Sequence, residues 1–213
     1  MKTVFVTGSD TNVGKTWVTG TLAALLTERG YRVQVVKPVE TGVVEPSSSD
    51  SQMAIARCRE GTATAHTLLS FPLPIAPVAA AEAEGAELRI ASLRERMESL
   101  PESDWRIVEG AGSLAAPLEK GGADWADFAK ASRFDRIVLV VEDRVGAIGQ
   151  ARMLYSYARS RGLEGGIWLN ELREQSEAEK RGTFAGIRSL GLPLWAAQGR
   201  DKVDARILED VWK

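Results

Sequence analysis

The feature that most limits the fold is a glycine-bounded loop at residues 8–16, GSDTNVGKT, which follows the apolar run TVFV after one residue, Thr7. A phosphate-binding loop uses glycines because its backbone N–H groups must turn inward around phosphate oxygens. It also uses a Lys that reaches the β- and γ-phosphates and a Ser or Thr that holds Mg²⁺. Gly14, Lys15 and Thr16 occupy these positions at the predicted start of a helix, whose N-terminus adds positive potential. The spacer between Gly8 and Gly14 is one residue longer than in the common pattern, so we interpret the segment as a lengthened P-loop. The alternative interpretation is a strand-to-helix turn with an exposed lysine.

Apolar runs alternate with segments of helical period along most of the chain. We predict strands near residues 2–8, 31–39, 104–109, 135–142, 165–172 and 192–197, and helices that include 15–29, 146–161 and 174–189. This alternation indicates an α/β fold with a mostly parallel sheet and helices on both faces. Because no repeat, low-complexity linker or boundary interrupts the pattern, residues 1–213 are predicted to form a single P-loop domain.

The overall composition excludes several classes of function. Hydrophobic residues at 44% and charged residues at 26% are typical of a soluble globular protein. The formal charge of -2, without a long run of Lys or Arg, argues against a general binder of nucleic acid or anionic membranes. The single cysteine, Cys58, cannot form an intrachain disulfide, and the single histidine, His66, leaves no histidine cluster for zinc. With neither a signal peptide nor a membrane-spanning stretch, the sequence predicts a cytoplasmic protein.

Charged residues stand near the carboxyl ends of two predicted strands, where open α/β sheets bind ligands. Glu109 ends the run RIVE, Lys37 ends the run VQVVK, and Asp50 closes the loop after the second strand. Together with Lys15, these groups suit an anionic substrate held next to ATP and Mg²⁺. Alternatively, Asp50 caps a helix and Glu109 is a satisfied strand-end carboxylate. We expect Lys15 and Lys37 at the rim of the crevice, outside the core.

Five motifs, in this order and approximate spacing, resemble the dethiobiotin synthetase family: GSDTNVGKT, KPVETG, SSSD, VEGAG and WLN. The resemblance covers residues 4 to about 197. It implies a homodimeric, ATP- and Mg²⁺-dependent ligase of biotin synthesis that closes a ureido ring on 7,8-diaminopelargonic acid. In that family CO₂ is captured as a carbamate, which accepts the γ-phosphate of ATP to give a mixed anhydride, and a second amine then expels phosphate.

The resemblance also implies roles for individual residues. Lys37, Lys15 and Thr11 would be catalytic, and Thr41 would contact the diamine. Magnesium would be held by Thr16, Asp50 and Glu109, while Asn170 and residues 193–195 would face the adenine. The implied nucleotide-binding set is Asn12, Val13, Gly14, Lys15, Thr16, Trp17, Asp50, Glu109, Gly110, Ala111, Gly112, Asn170, Pro193, Leu194 and Trp195.

Four positions depart from the family's pattern. Ser113 follows VEGAG where the family often has a glycine, and Val78 replaces a common histidine. Gly149 and Gln150 stand where the family usually has Asn-His, in a segment that contributes there to the substrate-carboxylate site across the dimer interface. The departures indicate either neutral variation or a changed substrate site.

Two other functions remain open at this point. A regulatory ATPase switch of the MinD/ParA type would share a related P-loop, but it carries a lysine where this chain has Asp10. Such switches often end in a basic membrane-binding helix, whereas the tail here has acidic residues around its apolar positions, Val203, Ile207, Leu208 and Val211. The second alternative is a paralogue that binds nucleotide without turnover.

Overall fold

The structure, a computed structural model, describes residues 1–43 and 49–199. The nine strands of this part are β1 (Lys2–Gly8), β2 (Val33–Lys37), β3 (Glu40–Thr41), β4 (Ala63–Thr67), β5 (Ser70–Phe71), β6 (Trp105–Glu109), β7 (Arg136–Glu142), β8 (Gly166–Asn170) and β9 (Leu194–Gln198). The seven helices of the described residues are α1 (Lys15–Glu28), α2 (Asp50–Ile55), α3 (Pro77–Ala83), α4 (Ile90–Glu98), α5 (Trp125–Ser132), α6 (Ala147–Ser160) and α7 (Glu177–Ser189).

Seven of the strands form one sheet in the order β4-β2-β6-β1-β7-β8-β9, and each neighbouring pair is parallel. Because the strands run the same way, the carboxyl ends of β1, β2 and β6 lie at one edge of the sheet. The short strands β3 and β5 form a separate parallel pair beside that edge, with Glu40 opposite Ser70 and Thr41 opposite Phe71. The predicted α/β fold with a parallel sheet is confirmed.

Both faces of the sheet are covered by helices, which explains the uninterrupted apolar run in β1. Val4 and Val6 pack in a cluster with Val18 and Leu22 of α1. Phe5 points to the other face, where it belongs to the cluster that the remaining helices α3–α7 cover. Each fully buried side chain of this size contributes about 1.5–3 kcal/mol to folding. The layers therefore fix β1 firmly and, with it, the loop that follows.

Some predictions concern residues outside the described part of the chain. The acidic, apolar tail with Val203, Ile207, Leu208 and Val211 lies there, and so do residues 47–48 of the SSSD motif. That the whole chain 1–213 forms one domain accordingly stays a prediction. Within the described residues, the helices are too short or too polar for any of them to cross a membrane.

Candidate active site

The glycine loop connects β1 to α1 in a conformation that requires glycine at its end. Gly14 precedes α1 in a left-handed conformation with φ of 85°, and Asn12 has φ of 59°. A Cβ added at Gly14 would lie 1.9 Å from Nδ2 of Asn170. The first turn of α1 starts at Lys15, and its N–H groups have no acceptor within the helix. The loop therefore presents the polarised backbone N–H groups that a phosphate needs.

Lys15 is folded back over the loop and almost completely buried. Its Nζ donates to the backbone oxygen of Asp10 at 2.8 Å, and 7% of the residue is exposed. Burial and, to a smaller extent, the nearby ammonium of Lys37 lower the pKa of Lys15 to about 8, against the opposing effect of the Glu109 and Asp50 carboxylates. The sequence-based prediction of a rim position is thus wrong for Lys15, because helix α1 and the loop close over its side chain. A phosphate anion here would stabilise the charged ammonium.

Lys37 is the centre of a buried charge cluster. Its Nζ lies 2.7 Å from Oε1 of Glu109 and 2.6 Å from Oδ2 of Asp50, and it also donates to the Gly110 carbonyl at 3.3 Å. Burial alone would favour the neutral amine, but the two carboxylates outweigh it and raise the pKa of Lys37. Only 3% of Lys37 is exposed, so its expected rim position is also wrong.

Thr16 links this cluster to the P-loop. Its hydroxyl donates to Oε1 of Glu109 at 2.9 Å, so the motif threonine and the end of β6 contact each other directly. Oε2 of Glu109 is buried without a hydrogen-bond partner among the described residues. The structure therefore brings together Lys15, Thr16, Lys37, Asp50 and Glu109, as the sequence predicted, from four separate segments of the chain.

These residues fit a magnesium ion of the kind that accompanies a nucleotide. Mg²⁺ is bound by one or two carboxylates, water and substrate phosphates rather than by a cage of protein ligands. Glu109, Asp50 and the Thr16 hydroxyl supply oxygens beside the phosphate loop, and the unpartnered Glu109 oxygen has unused acceptor capacity. Among the described residues, no group of three or more His, Cys, Asp or Glu side chains is placed to hold a metal ion.

The turn after β6 closes the other side of the site. Gly112 has φ of 68°, and a Cβ added there would lie 3.9 Å from the Thr11 hydroxyl. The turn is tied to the loop because the N–H of Leu114 donates to the carbonyl of Gly8 at 3.1 Å. Gly110 approaches the Phe5 ring so closely that an added Cβ would lie 3.1 Å from it. The glycines of VEGAG thus let the turn pass over the aromatic core and face the P-loop.

One cavity of about 960 Å³ joins most of these residues. Its predicted members are Thr11, Asn12, Gly14, Lys15, Thr16, Trp17, Lys37, Thr41, Asp50, Glu109, Ala111 and Gly112. Beyond Thr41 the cavity continues along residues 74–77 and Ala116, and this largely apolar wall was not anticipated. Glu40 also lines the cavity and was missed, because a glutamate within a matched motif gives no separate signal of burial.

Val13 and Asn170 lie behind the loop instead of lining the cavity. Val13 is buried, and its carbonyl accepts from Nδ2 of Asn170 at 3.0 Å. Asn170 ends β8, and its Oδ1 has no hydrogen-bond partner in the described part of the chain. The Asn170 amide therefore lies against the backbone of the P-loop, and its hydrogen bond to Val13 supports the loop.

Pro193, Leu194 and Trp195 are not brought to the site. They stand at the amino end of β9, and in a parallel sheet this end lies at the edge opposite the P-loop. Pro193 and Trp195 line a separate cavity of about 440 Å³ together with Asp135 and Arg136 at the start of β7. The expectation that residues 193–195 face the adenine is wrong, because the direction of β9 places them at the edge of the sheet opposite the P-loop.

The four departures from the family's pattern fall in different places. Ser113 lines the cavity, and Val78 is half-buried on α3. Gly149 is exposed on α6, and a Cβ added there would meet nothing within 4 Å. Gln150 has a buried Oε1 that lacks a partner among the described residues.

Comparisons with known proteins identify the family. Residues 2–193 match the family described as AAA domain. The chain is 34% identical over 179 residues to the ATP-dependent dethiobiotin synthetase of Aquifex aeolicus, which covers 83% of this chain and 80% of that protein. It is 32% identical to the enzyme of the same name from Mycolicibacterium gilvum, over 100% of this chain and 97% of the relative.

Solved structures with similar folds are more distant in sequence. The MinC:MinD cell division protein complex of Aquifex aeolicus matches at a TM-score of 0.58 and 15% identity, over 94% of this chain and 82% of that chain. A protein described as a plasmid partition protein of Borrelia burgdorferi matches at 0.60 and 8% identity, over 99% and 97%. These likenesses concern the fold alone, whereas the curated relatives confirm the resemblance seen in the motifs: the chain belongs to the ATP-dependent dethiobiotin synthetase family.

Proposed function

We propose that this chain is an ATP- and Mg²⁺-dependent ring-closing ligase of biotin synthesis that converts 7,8-diaminopelargonic acid and CO₂ into dethiobiotin. The observation that carries the proposal is the contact of Lys37 with both Asp50 and Glu109, next to Thr16 of the P-loop. The names of the curated relatives supply the product and the use of ATP, while the substrates and the reaction steps follow from the family resemblance. We further propose a homodimer, as the family resemblance implies.

The reaction needs no covalent nucleophile from the protein. One amine of the substrate attacks CO₂ and loses a proton, which gives a carbamate. A carbamate oxygen takes the γ-phosphoryl group of ATP, ADP leaves, and a carbamic–phosphoric anhydride forms. The second amine attacks the anhydride carbonyl, the bond to the phosphate oxygen breaks, and the ring closes with release of phosphate and a proton.

The residues of the cluster supply what phosphoryl transfer requires, which is positioning and positive charge around the transferred oxygens. Lys15 would exchange the Asp10 carbonyl for the β- and γ-phosphate oxygens. Lys37 would contact the carbamate and the transferred phosphoryl group, with the Thr11 hydroxyl as a further donor. Mg²⁺, when held by Thr16, Asp50 and Glu109, would neutralise charge that develops on the phosphate oxygens.

The remaining walls of the cavity suit the two substrates. Phosphates would contact the loop backbone, and the rest of the nucleotide would pass Trp17 and the turn after β6. The proposed nucleotide-binding residues that line the cavity are Asn12, Gly14, Lys15, Thr16, Trp17, Ala111 and Gly112. Val13 and Gly110 are outside this lining and would contribute through their backbone. Thr41 would bind an amine of the substrate, and its alkyl chain would lie along the apolar wall at residues 74–77. Asn170 would hold the backbone of the phosphate loop through its hydrogen bond to the Val13 carbonyl.

The test is product formation with each substrate omitted in turn. Purified protein is incubated with diamine, bicarbonate, ATP and Mg²⁺, while phosphate release and dethiobiotin mass are measured together. Equal amounts of phosphate and dethiobiotin, both dependent on all four components, are expected. Phosphate without dethiobiotin would refute the proposal.

Two results would point to the alternatives. ATP hydrolysis that is stimulated by lipid vesicles or DNA, and not by diamine, would favour a regulatory switch of the MinD/ParA type. Tight nucleotide binding with no phosphate release under the complete conditions would favour a paralogue without turnover.

A further inference from the structure

Glu40 is a buried carboxylate that the proposed reaction does not use. It lies in β3, three residues after Lys37, and is only 6% exposed. Its Oε1 accepts from the backbone N–H of Asp50 at 2.7 Å, and its Oε2 accepts from the Thr67 hydroxyl at a longer 3.4 Å. Both oxygens therefore bind groups at the start of α2 and the end of β4.

The bonds around Glu40 form a connected network. The Thr67 hydroxyl also contacts the Ser51 hydroxyl at 2.9 Å, and Ser51 contacts the Ser49 hydroxyl at 3.2 Å. Ser49 is the N-cap of α2, and Asp50 and Ser51 begin its first turn. The network thus holds this turn from one side, while Lys37 binds the Asp50 carboxylate from the other.

The position of Glu40 is unfavourable for its own charge. Burial raises the pKa of Glu40, and the neighbouring Asp50 carboxylate adds to the effect although its hydrogen bonds and Lys37 oppose it. A buried carboxylate beside a like charge destabilises the fold unless its oxygens are well satisfied. The strong bond from Asp50 N–H is the compensating interaction, and it fixes the backbone of a proposed magnesium ligand.

We propose that Glu40 is a positioning residue: its carboxylate fixes the backbone of Asp50 so that Oδ2 of Asp50 is directed toward Lys37 and the magnesium site. The inference rests on the proposed function insofar as Asp50 is a metal ligand there. Glu40 acts through Asp50, because its two oxygens accept from the Asp50 N–H and the Thr67 hydroxyl.

The test measures metal binding without turnover. Mn²⁺, as a paramagnetic probe for the Mg²⁺ site, is titrated into protein that is saturated with a non-hydrolysable ATP analogue, in the absence of diamine. Glu40→Ala removes the acceptor of the Asp50 N–H, and loss of a hydrogen bond to a charged group should weaken Mn²⁺ binding about tenfold. Glu40→Gln keeps an acceptor oxygen and should stay within about threefold of the wild type. Binding of the nucleotide without metal should be unchanged in both variants.

Matched controls separate positioning from general damage. Thr67→Val removes the 3.4 Å contact to Glu40 and the 2.9 Å contact to Ser51 but keeps the bond from the Asp50 N–H, so it should change Mn²⁺ affinity less than Glu40→Ala. Glu60→Ala removes an exposed carboxylate outside this network and should change nothing. Wild-type Mn²⁺ affinity in Glu40→Ala would overturn the inference, as would an equal loss of metal-free nucleotide binding. If Glu40→Ala does not fold, a tenfold loss in folded Glu40→Gln would overturn it. The Mn²⁺ titration contains no diamine and does not depend on product formation. A failure to form dethiobiotin in the separate activity assay would therefore refute the proposed function and leave the positioning role of Glu40 intact.

Discussion

The buried ion pair between Lys37 and Glu109 makes a quantitative prediction about stability. Lys37→Met replaces the ammonium with an apolar group of similar length, and it leaves a carboxylate that is 1% exposed without its cation. Removal of one partner of a buried pair costs about 3–5 kcal/mol. Since Thr16 still donates to Glu109 and the Asp50 side chain is 28% exposed, we expect the lower end, about 3 kcal/mol at pH 7.

Urea unfolding in metal-free buffer provides the measurement. Tryptophan fluorescence reports the transition, because the chain has six tryptophans, and the slope with denaturant should stay unchanged while the midpoint falls. The double variant Lys37→Met/Glu109→Gln removes both charges and should recover most of the lost stability. Lys130→Met, at an exposed position of α5, is the matched control and should lie within about 0.5 kcal/mol of the wild type.

Mg²⁺ should partly replace the missing ammonium. Addition of the ion is expected to stabilise Lys37→Met more than the wild type, since it binds the same carboxylates. If the urea midpoint of Lys37→Met equals that of the wild type, the buried pair does not contribute to the free energy of unfolding. Equal stability of the single and double variants would likewise refute the coupling between Lys37 and Glu109.

The remaining predictions concern the P-loop and the metal. The pKa of Lys15 is lowered to about 8, so affinity for an ATP analogue should fall about tenfold between pH 7 and 9 in titration calorimetry, and a flat profile would contradict the burial of Lys15. Because the unfolded chain binds more protons than the folded one between pH 8 and 10.5, the Lys15 contribution to stability should rise with pH in that window. Gly14→Ala should abolish nucleotide binding through its clash with Asn170, while Gly30→Ala, at φ of 86° with open space around it, should cost only about 1–2 kcal/mol of stability and retain binding. Asp50→Asn should weaken Mg²⁺ use more than ATP binding in initial-rate measurements, and an equal loss of both would contradict its role as a metal ligand; the alternative that Asp50 caps α2 is wrong, because Ser49 is the N-cap.

The sheet and the convergence of charges were predictable because they follow from local patterns. Consecutive apolar residues in β1 indicate a strand buried on both faces, which only a parallel sheet between helices provides. In such a sheet, residues at strand carboxyl ends share one edge, so Lys37 and Glu109 had to lie near the P-loop. These predictions needed strand direction alone, and no knowledge of side-chain packing.

Other features depend on packing between distant segments and were missed. The burial of Lys37 follows from the carboxylates that surround it, since an unpaired lysine would have stayed at the rim. The role of Glu40 depends on a bond to the backbone of Asp50, which no side-chain pattern reveals. The prediction that residues 193–195 face the adenine was based on the order of the motifs. It is wrong because the direction of β9 places its other end, at Gln198, at the edge of the sheet that carries the P-loop.

The charge balance of the site explains why it contains buried ion pairs, although apolar residues at these positions would give a more stable fold. The carboxylates of Asp10, Glu40, Asp50 and Glu109 line the same cavity as the ammonium groups of Lys15 and Lys37, for a formal sum of −2. A divalent cation brings this sum to zero, which removes the net repulsion between the site and the polyphosphate of a nucleotide. Metal and nucleotide are therefore expected to bind cooperatively. Replacing the Lys37–Glu109 pair with uncharged residues should retain most of the stability but abolish that cooperativity. Equal Mn²⁺ affinity of the wild type with and without the ATP analogue would contradict this account of the cluster.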